Sequence, residues 1–555
     1  VYQVYVRAFA DGNGDGVGDL AGVLDRLPYL HDLGVDALWF TPWYPSPLAD
    51  GGYDVVDYRS IDPELGTLAE AERLIAEAAA RGMRTIVDVV PNHVSDRHPW
   101  FRAALAAGPR SPERERFWFR PGRGRGGEDP PNGWASIFGG PAWTRTKDRD
   151  GTPGDWYLHL FAPEQPDLNW SDPEVRAEHE DVLRFWFDRG AAGVRIDSAA
   201  LLAKDPQLAD VDPDHAPGRH VYMDRDEVHE IYARWRRVAD GYAEPRVLVG
   251  EMWIPDAERL GLYLRPTELH TAFNFDLLSC PWEPDRLRDS IETTLRTHAG
   301  VGAPATWVLS NHDVTRPVTR YGRADTSFAF AAKRAGTPTD LALGRRRARA
   351  AALLTMALPG SVYVYQGEEL GLPEVEDIEP DRIQDPMHFR SGGVDPGRDG
   401  ARVPLPWSGD APPYGFGPPG APDESEAGVE TFLPQPAGWG DLSVAAQAGD
   451  PGSHLTLYRT ALRIRRDEDG LGDGPLRWLD ASPAVLAFER GDRFACVVNL
   501  SADPVDLPAH EHVLLASAAL EGGRLGPDST AWLRLPPPAS GPPGGSADLE
   551  EWSTP

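Results

Sequence analysis

Four short apolar runs in this 555-residue sequence close on side chains that can carry charge or move protons. The first closes on Asp88, Asn92 and His93, the second on Arg195 and Asp197, the third on Glu251, and the fourth on His312 and Asp313. A lone Asp at such a place is usually a turn residue or a helix cap. Four such endings in one chain, if the runs are strands whose ends share a face, gather several carboxyls and imidazoles into one site. Two carboxyl groups on opposite sides of a glycosidic bond can do the whole of its cleavage: one attacks the anomeric carbon while the other protonates the leaving oxygen. The attacking group must be ionised, and Arg195, two residues before Asp197 and so on the same strand face, supplies the positive charge for that. Glu251 follows Val247, Leu248, Val249 and Gly250 and precedes Met252 and Trp253, an apolar setting that favours the neutral acid. Asp197 therefore reads as the nucleophile and Glu251 as the acid/base.

The elements that must position these groups follow a repeated rhythm of strand and helix. Val1 to Phe9 reads as a strand, and Leu20, Val23, Leu24, Leu27, Leu30 and Leu33 then recur at helical spacing until Gly34 stops the helix. Ala37 to Phe40 is the next strand, Thr67 to Ala80 a helix ended by Gly82, and Thr85 to Val90 a β-branched, buried strand. Between Val94 and Trp170 the rhythm breaks into a Gly, Pro, Arg and Trp mixture, which reads as an irregular insertion after the third strand. It resumes with Ser171 and Glu174 as a capping box, a helix through Trp186, a stop at Gly190 and a strand into Asp197. Further strands fall at Arg246 to Gly250, near Ala272, at Thr306 to Ser310 and at Ser361 to Tyr365. Eight strands with intervening helices predict an α/β fold, a closed (β/α)8 TIM barrel with its chemistry at the C-terminal strand ends. After a helix over Leu455 to Arg465, short alternating stretches such as Ala484 to Phe488 and Phe494 to Asn499 predict a small antiparallel β domain. The expected division is a catalytic barrel over 1–93 and 170–466, an inserted domain over 94–169, a C-terminal β-sandwich over 467–536 and a disordered tail over 537–555.

Composition narrows the partners. Fifty-five basic against 86 acidic side chains give a formal charge of -31, which disfavours nucleic acid and anionic membrane as partners. No apolar run reaches the length of a membrane span. Only Cys280 and Cys496 are present, far apart and outside any metal-ligand spacing, which suggests neither a disulfide scaffold nor a zinc site and leans towards a reducing, cytoplasmic setting. The chain opens at Val1, inside what reads as a strand, which leaves room for upstream residues, a signal peptide among them. The expected partner is a small molecule, with the protein a monomer or a homo-oligomer.

Five motifs resemble those of glycoside hydrolase family thirteen, the α-amylase family, and specifically its oligo-1,6-glucosidase and α-glucosidase branch: DVVPNH (Asp88 to His93), GVRID (Gly193 to Asp197), VGEMW (Val249 to Trp253), VLSNHD (Val308 to Asp313) and QPDLN (Gln165 to Asn169). With GVDALWFTP (Gly34 to Pro42) and GSVYVYQGEE (Gly360 to Glu369) they occur in the family's order and cover most of the chain. The resemblance implies a retaining exo-α-glucosidase. Asp197 would form the covalent glucosyl intermediate, Glu251 would protonate and then deprotonate, and Asp313 would hold hydroxyls of the distorted ring. It further implies that His93 and His312 bind hydroxyls, that Arg195 orients the nucleophile, and that Asp50 with Arg398 or Arg402 closes the pocket behind one terminal glucose. Tyr53 would stack on that sugar, with Phe161 and Gln165 along the lining. The two arginines lie in one stretch, RDGARVP, and spacing alone does not choose between them.

The segment DGNGDGVGD places Asp11, Asn13, Asp15 and Asp19 at alternating positions with the Val17 carbonyl between them, a set of hard oxygens suited to Ca²⁺. It is not an EF-hand, since the twelfth position is Gly22. The branch carries a structural calcium at such a loop, so a stabilising ion outside the chemistry is expected and no cofactor is required for catalysis. Ser198, after the nucleophile, stands where the branch often has Val in enzymes preferring α-1,6 links, and so favours α-1,4. Two rivals remain. A transglucosidase or isomerase, such as a sucrose isomerase or trehalose synthase, would use the same intermediate with a sugar acceptor, and a non-catalytic ancillary family member would lack part of the carboxylate set.

Overall fold

In the computed structural model, which describes residues 1–148, 151–418, 430–472 and 474–537, eight parallel strands stand side by side around a packed interior. The chain enters through β1 (Tyr2–Val4), β2 (Ala37–Phe40) and β3 (Arg84–Val89), whose side chains are buried on both faces apart from Arg84, as a sheet covered by helices outside and filled within requires. The segment that follows carries β4 (Phe119–Arg120), β5 (Trp143–Lys147) and β6 (Pro153–Leu158), a three-stranded antiparallel sheet in the order β4-β6-β5. The barrel resumes with β7 (Gly193–Ile196), β8 (Val247–Gly250), β9 (Thr271–Ala272), β10 (Thr306–Val308) and β11 (Ser361–Tyr365). Its order, β10-β11-β1-β2-β3-β7-β8-β9, leaves one seam between β9 and β10. There the Asn274 N–H donates to the Thr306 carbonyl at 3.0 Å and the Thr271 and Thr306 hydroxyls meet at 2.6 Å, which draws the barrel closed.

Register decides which side chains meet. Asp88 on β3 pairs with Arg195 on β7, and Arg195 with Val249 on β8. Because side chains alternate along a strand, Asp88 and Arg195 point to the same side at the same height, and Asp197 follows Arg195 on that face. The insertion returns to the rim in the same way, with Asp167 bridged to His93 in antiparallel fashion and the Leu168 N–H bonded to the Asn92 carbonyl.

The C-terminal strands β12 (Leu476–Trp478), β13 (Val485–Arg490), β14 (Phe494–Asn499), β15 (His512–Ala516) and β16 (Ser529–Arg534) form one five-stranded antiparallel sheet in the order β12-β13-β14-β16-β15. It rests on the helix Leu341–Ala357, where Thr530 and Trp532 donate to the carbonyls of Ala350 and Leu353. The tail expected from 537 lies, from 538 onward, outside the described residues. Among those described, no helix is long and apolar enough to cross a membrane.

Two local expectations are corrected. The opening strand ends at Val4, and Val6–Ala8 form a 3-10 turn, because the Gln366 side chain takes the Tyr5 N–H at 2.7 Å and donates to the Ala8 carbonyl at 3.1 Å, folding the chain over the rim. The helix Pro173–Asp188 is capped by Asp172, which accepts the Glu174 N–H, and not by a Ser171–Glu174 box. Pro173 has no N–H and a fixed φ, so it takes the first helical position and moves the cap next to itself.

Candidate active site

At the C-terminal end of the barrel a cavity of about 240 Å³ is walled by Asp50, Tyr53, His93, Phe161, Asp197, Glu251, Asp313 and Arg398 together with a set of apolar side chains. Beneath it lies one guanidinium. Arg195 is 1 % exposed and would be an uncompensated charge in a barrel interior were it not held by three carboxylates. Its Nη1 donates to Asp197 Oδ1 at 2.8 Å and to the two Asp88 oxygens at 2.9 and 3.0 Å, and its Nη2 lies 3.5 Å from Glu251 Oε2. Asp88 also accepts from the Trp39 indole and the Tyr53 hydroxyl, each at 3.1 Å. Burial pushes the Asp88 carboxyl up to about 7 against the pull of Arg195, with the like charge of Asp197 adding to the rise.

The third carboxyl is held differently. Glu251 Oε2 accepts the Ser198 N–H at 2.7 Å and Oε1 accepts the Trp253 indole N–H at 3.0 Å. Ser198 adopts a left-handed φ of 47°, uncommon for a residue with a Cβ, and it is this residue whose amide caps the carboxyl. Burial raises Glu251 to about 7; Arg195 opposes the shift, and the charges of Asp197 and Asp313 reinforce it. Three carboxyls thus surround one buried cation, and two of them, Asp88 and Glu251, are raised to near neutrality, of which Glu251 lines the cavity.

Asp313 is the opposite case. Its Oδ1 accepts from Arg402 Nη2 at 2.7 Å and Arg398 Nη1 at 3.1 Å. Burial would raise it, but the guanidinium groups of Arg398, Arg402 and Arg195 outweigh burial and hold it below the usual carboxylate range. His312 is kept neutral by burial. Its Nδ1 accepts the Gln3 amide at 2.7 Å, so the ring proton sits on Nε2, which lies 3.3 Å from Asp313 Oδ2 and has no hydrogen-bond partner.

The far end of the cavity is closed by an ion pair. Arg398 Nη2 donates to Asp50 Oδ1 at 2.6 Å, and its Nε donates to Asp385 Oδ2 at 2.6 Å. Of the two candidate arginines, Arg398 forms the wall; Arg402 stands behind it, bonded to the His312 carbonyl and to Asp313. Gln165 also stands behind the lining, where its amide donates to Asp50 Oδ2 at 3.0 Å and its Oε1 accepts the Ala162 N–H. Tyr53 lies flat on His312 at 5.1 Å and 7°, and Phe161 packs on His93 at 4.9 Å. The expected residues are thus brought together: Arg195, Gln165 and Arg402 as support, His312 just behind the lining with its Nε2 unpartnered, and the others at the surface of the cavity.

Three contributors were outside the expected set: Gln3, Trp253 and Asp385. Asp88 was among the strand-end side chains but had no role assigned, and strand alternation marks it as inward-facing; Trp253 sits inside a motif already singled out. Gln3 and Asp385 carry no local signal.

The Asp11 to Asp19 loop is not part of the cavity. Asp11 accepts the N–H groups of Asn13, Gly14 and Gly16, Asn13 that of Asp15, Asp15 that of Val17, and Asp19 those of Gly12 and Gly22. The donor set is of the right chemical kind for Ca²⁺. In the geometry shown the carboxylates serve the loop's own amides, and among the described residues no three acidic, His or Cys side chains are arranged to hold a metal ion.

A carboxylate bound to an arginine, a second carboxyl raised to about 7 and a third fixed as an anion can break an acetal by double displacement. Residues 3–474 match the family model described as "Alpha amylase, catalytic domain", and residues 474–532 match a domain of unknown function, DUF3459. The chain is 34% identical to a probable alpha-glucosidase of Rhizobium meliloti (strain 1021), covering 90% of this chain and 88% of that protein. It is 35% identical to the trehalose-6-phosphate hydrolase of Escherichia coli (strain K12), covering 90% of each. The crystal structure of the trehalulose synthase from Pseudomonas mesoacidophila MX-45 superposes with a TM-score of 0.80 at 31% identity, covering 96% of this chain and 98% of that one.

Proposed function

The chain belongs to the α-amylase family of glycoside hydrolases, and on that premise we propose that it is a retaining, exo-acting α-glucosidase releasing glucose from the non-reducing end of short α-glucosides, α-1,4 links favoured. The observation that carries the exo reading is the end of the cavity. Arg398, locked between Asp385, Asp50 and Asp313, forms a wall behind the carboxylates, so one terminal sugar fits and a continuing chain does not. A guanidinium held among three carboxylates also presents fixed donors and acceptors to vicinal hydroxyls.

In this reading Asp197 attacks C1 while Glu251 gives its proton to the leaving oxygen; water then attacks C1 from the side the leaving group vacated and returns a proton to Glu251. Arg195 holds and aims Asp197. Asp313 and the Nε2–H of His312 bind ring hydroxyls, His93 binds another, and Tyr53 and Phe161 shape the sugar's bed. Substrate panels with maltose, isomaltose, sucrose and trehalose, followed by NMR of the first product, test the proposal. The expected result is α-glucose, fastest from maltose; β-glucose as first product would overturn it. The likeness to a trehalulose synthase favours one second reading, glucosyl transfer, and new disaccharides exceeding free glucose would establish that instead.

Glu251 must be protonated for the first step, so kcat/KM should fall as pH rises through about 7, by about tenfold per unit beyond it. A profile flat to pH 9 would remove Glu251 from the acid's role.

We also propose a structural Ca²⁺ held by Asp11, Asn13, Asp15, Asp19 and the Val17 carbonyl, after the loop's carboxylates turn from their amides to the ion. Chelation should lower the thermal midpoint and added Ca²⁺ restore it, with Asp15→Ala insensitive to both. An unchanged midpoint on chelation of the calcium-loaded protein would remove the site.

A further inference from the structure

Arg398 reaches the cavity from the turn 395–397, and a distant part of the chain holds that turn. The peptide unit joining Gly397 to Arg398 is planar, so fixing both of its polar atoms fixes where the Arg398 side chain starts. Its N–H donates to Asp385 Oδ2 at 2.7 Å. Its carbonyl, on Gly397, accepts from the Lys333 ammonium at 3.0 Å, and the same ammonium donates to Asp395 Oδ1 at 2.7 Å. The Lys333 side chain is 6% exposed. A buried ammonium must be matched by acceptors, and here a carboxylate and a carbonyl converge on it. Gly397 has a left-handed φ of 82°, and a Cβ there would come within 2.8 Å of Asp385 Cβ. That close approach lets one carboxylate oxygen take both the Arg398 N–H and its Nε.

The turn is not backed by close packing. Pro396, Gly397 and Asp399 line, with Lys333, Glu374 and Ile378, a second cavity of about 220 Å³, so hydrogen bonds and not contact must keep the turn in place. Lys333 is itself anchored. Its carbonyl accepts from Arg323 Nη1 at 2.8 Å, and three residues earlier Phe330 packs edge-on against Trp253 at 4.8 Å and against Phe328 at 5.2 Å. Its ammonium also lies 3.6 Å from the sulfur of Met387, which lines the sugar cavity, whereas Lys333 does not. Resting on the glucosidase reading above, we infer that Lys333 is a positioning residue: by holding the Gly397 carbonyl it sets the place of Arg398, and with it how tightly the closed end grips a terminal glucose.

Lys333→Met tests this, because Asp313 keeps its bond to Arg402 and the reacting carboxyls keep their partners. KM for nitrophenyl α-glucoside and the inhibition constant of glucose should each rise by about tenfold while kcat stays within about threefold, the pattern of lost uniform binding. In Lys333→Ala, propylammonium replaces the missing atoms and should restore KM; tetramethylammonium, with the same charge and no N–H, should not. Asp395→Asn keeps an acceptor for the Gly397 N–H and weakens the hold on the ammonium, so it should move KM the same way to a smaller extent, and it answers the question if the lysine variants fold poorly. Unchanged KM and glucose inhibition in a folded variant, a loss confined to kcat, or equal rescue by the two ions would overturn the inference and leave the glucosidase reading standing. Failure of the parent protein to release glucose from every α-glucoside would overturn the glucosidase reading and the inference with it.

Discussion

Asp197→Ala should lower kcat/KM on maltose by about 10⁴-fold or more, the scale on which enzymes lose rate when the group forming the covalent bond is removed. The fold should survive, because Arg195 keeps both bonds to Asp88 and its contact with Glu251. Alanine also opens space on the face from which Asp197 attacks. With an activated nitrophenyl α-glucoside and azide, that space should admit the small anion, and the product should be the β-glucosyl azide, inverted at C1. Near-native activity on maltose, or an α-configured azide, would show that Asp197 is not the nucleophile. A second consequence comes from Glu251. The charge of Asp197 is among the causes raising its pKa to about 7, so removing it should let Glu251 fall towards its ordinary value and move the alkaline limb of the residual activity to lower pH.

The distribution of what sequence reveals follows from distance along the chain. Asp197, Glu251 and Asp313 were legible because each ends an apolar run, and a barrel strand brings its end to the site whatever its neighbours do. Arg195 was legible from its alternation with Asp197. The partner that matters as much, Asp88, belonged to a recognised motif, yet its contact with Arg195 depends on the β3 to β7 register, Asp88 opposite Arg195, which no local pattern specifies. Gln3 lies 309 residues from His312 and fixes the tautomer of that ring from the opposite end of the chain. Asp385 chooses between Arg398 and Arg402 by holding the Nε of the former, a choice that their common stretch left open. The β1 strand stopped short for a similar reason: a side chain from the turn after β11 took the hydrogen bonds that a local reading gives to a strand. The three-stranded sheet of the insertion escaped because its pairings join short segments separated by Gly- and Pro-rich turns.

Arg195→Met should be the most damaging single change to the folded protein. The side chain is of similar length and apolar, so packing is largely kept, while Asp88, Asp197 and Glu251 lose the cation they share. Leaving buried partners uncompensated costs about 3–5 kcal/mol, and activity should fall by orders of magnitude because Asp197 loses both its charge partner and its aim. The sign of the pH dependence distinguishes this from a packing defect. Without Arg195 the folded-state pKa values of Asp88 and Glu251, already raised, rise further above their unfolded values, so the folded protein binds more protons than the unfolded chain between about pH 4 and neutrality. Stability of the variant is then highest at or below about pH 4 and is lost as pH rises, so its deficit against the parent should be small near pH 4.5 and large at pH 8. Thermal midpoints measured across that range check it, and a deficit independent of pH would mean that Arg195 acts through shape alone. Adding Asp88→Asn to Arg195→Met removes one uncompensated charge, so the double variant should be more stable at pH 8 than Arg195→Met by itself. That non-additivity is the behaviour of one cation balancing several carboxylates, and it is absent if each contact stands independently.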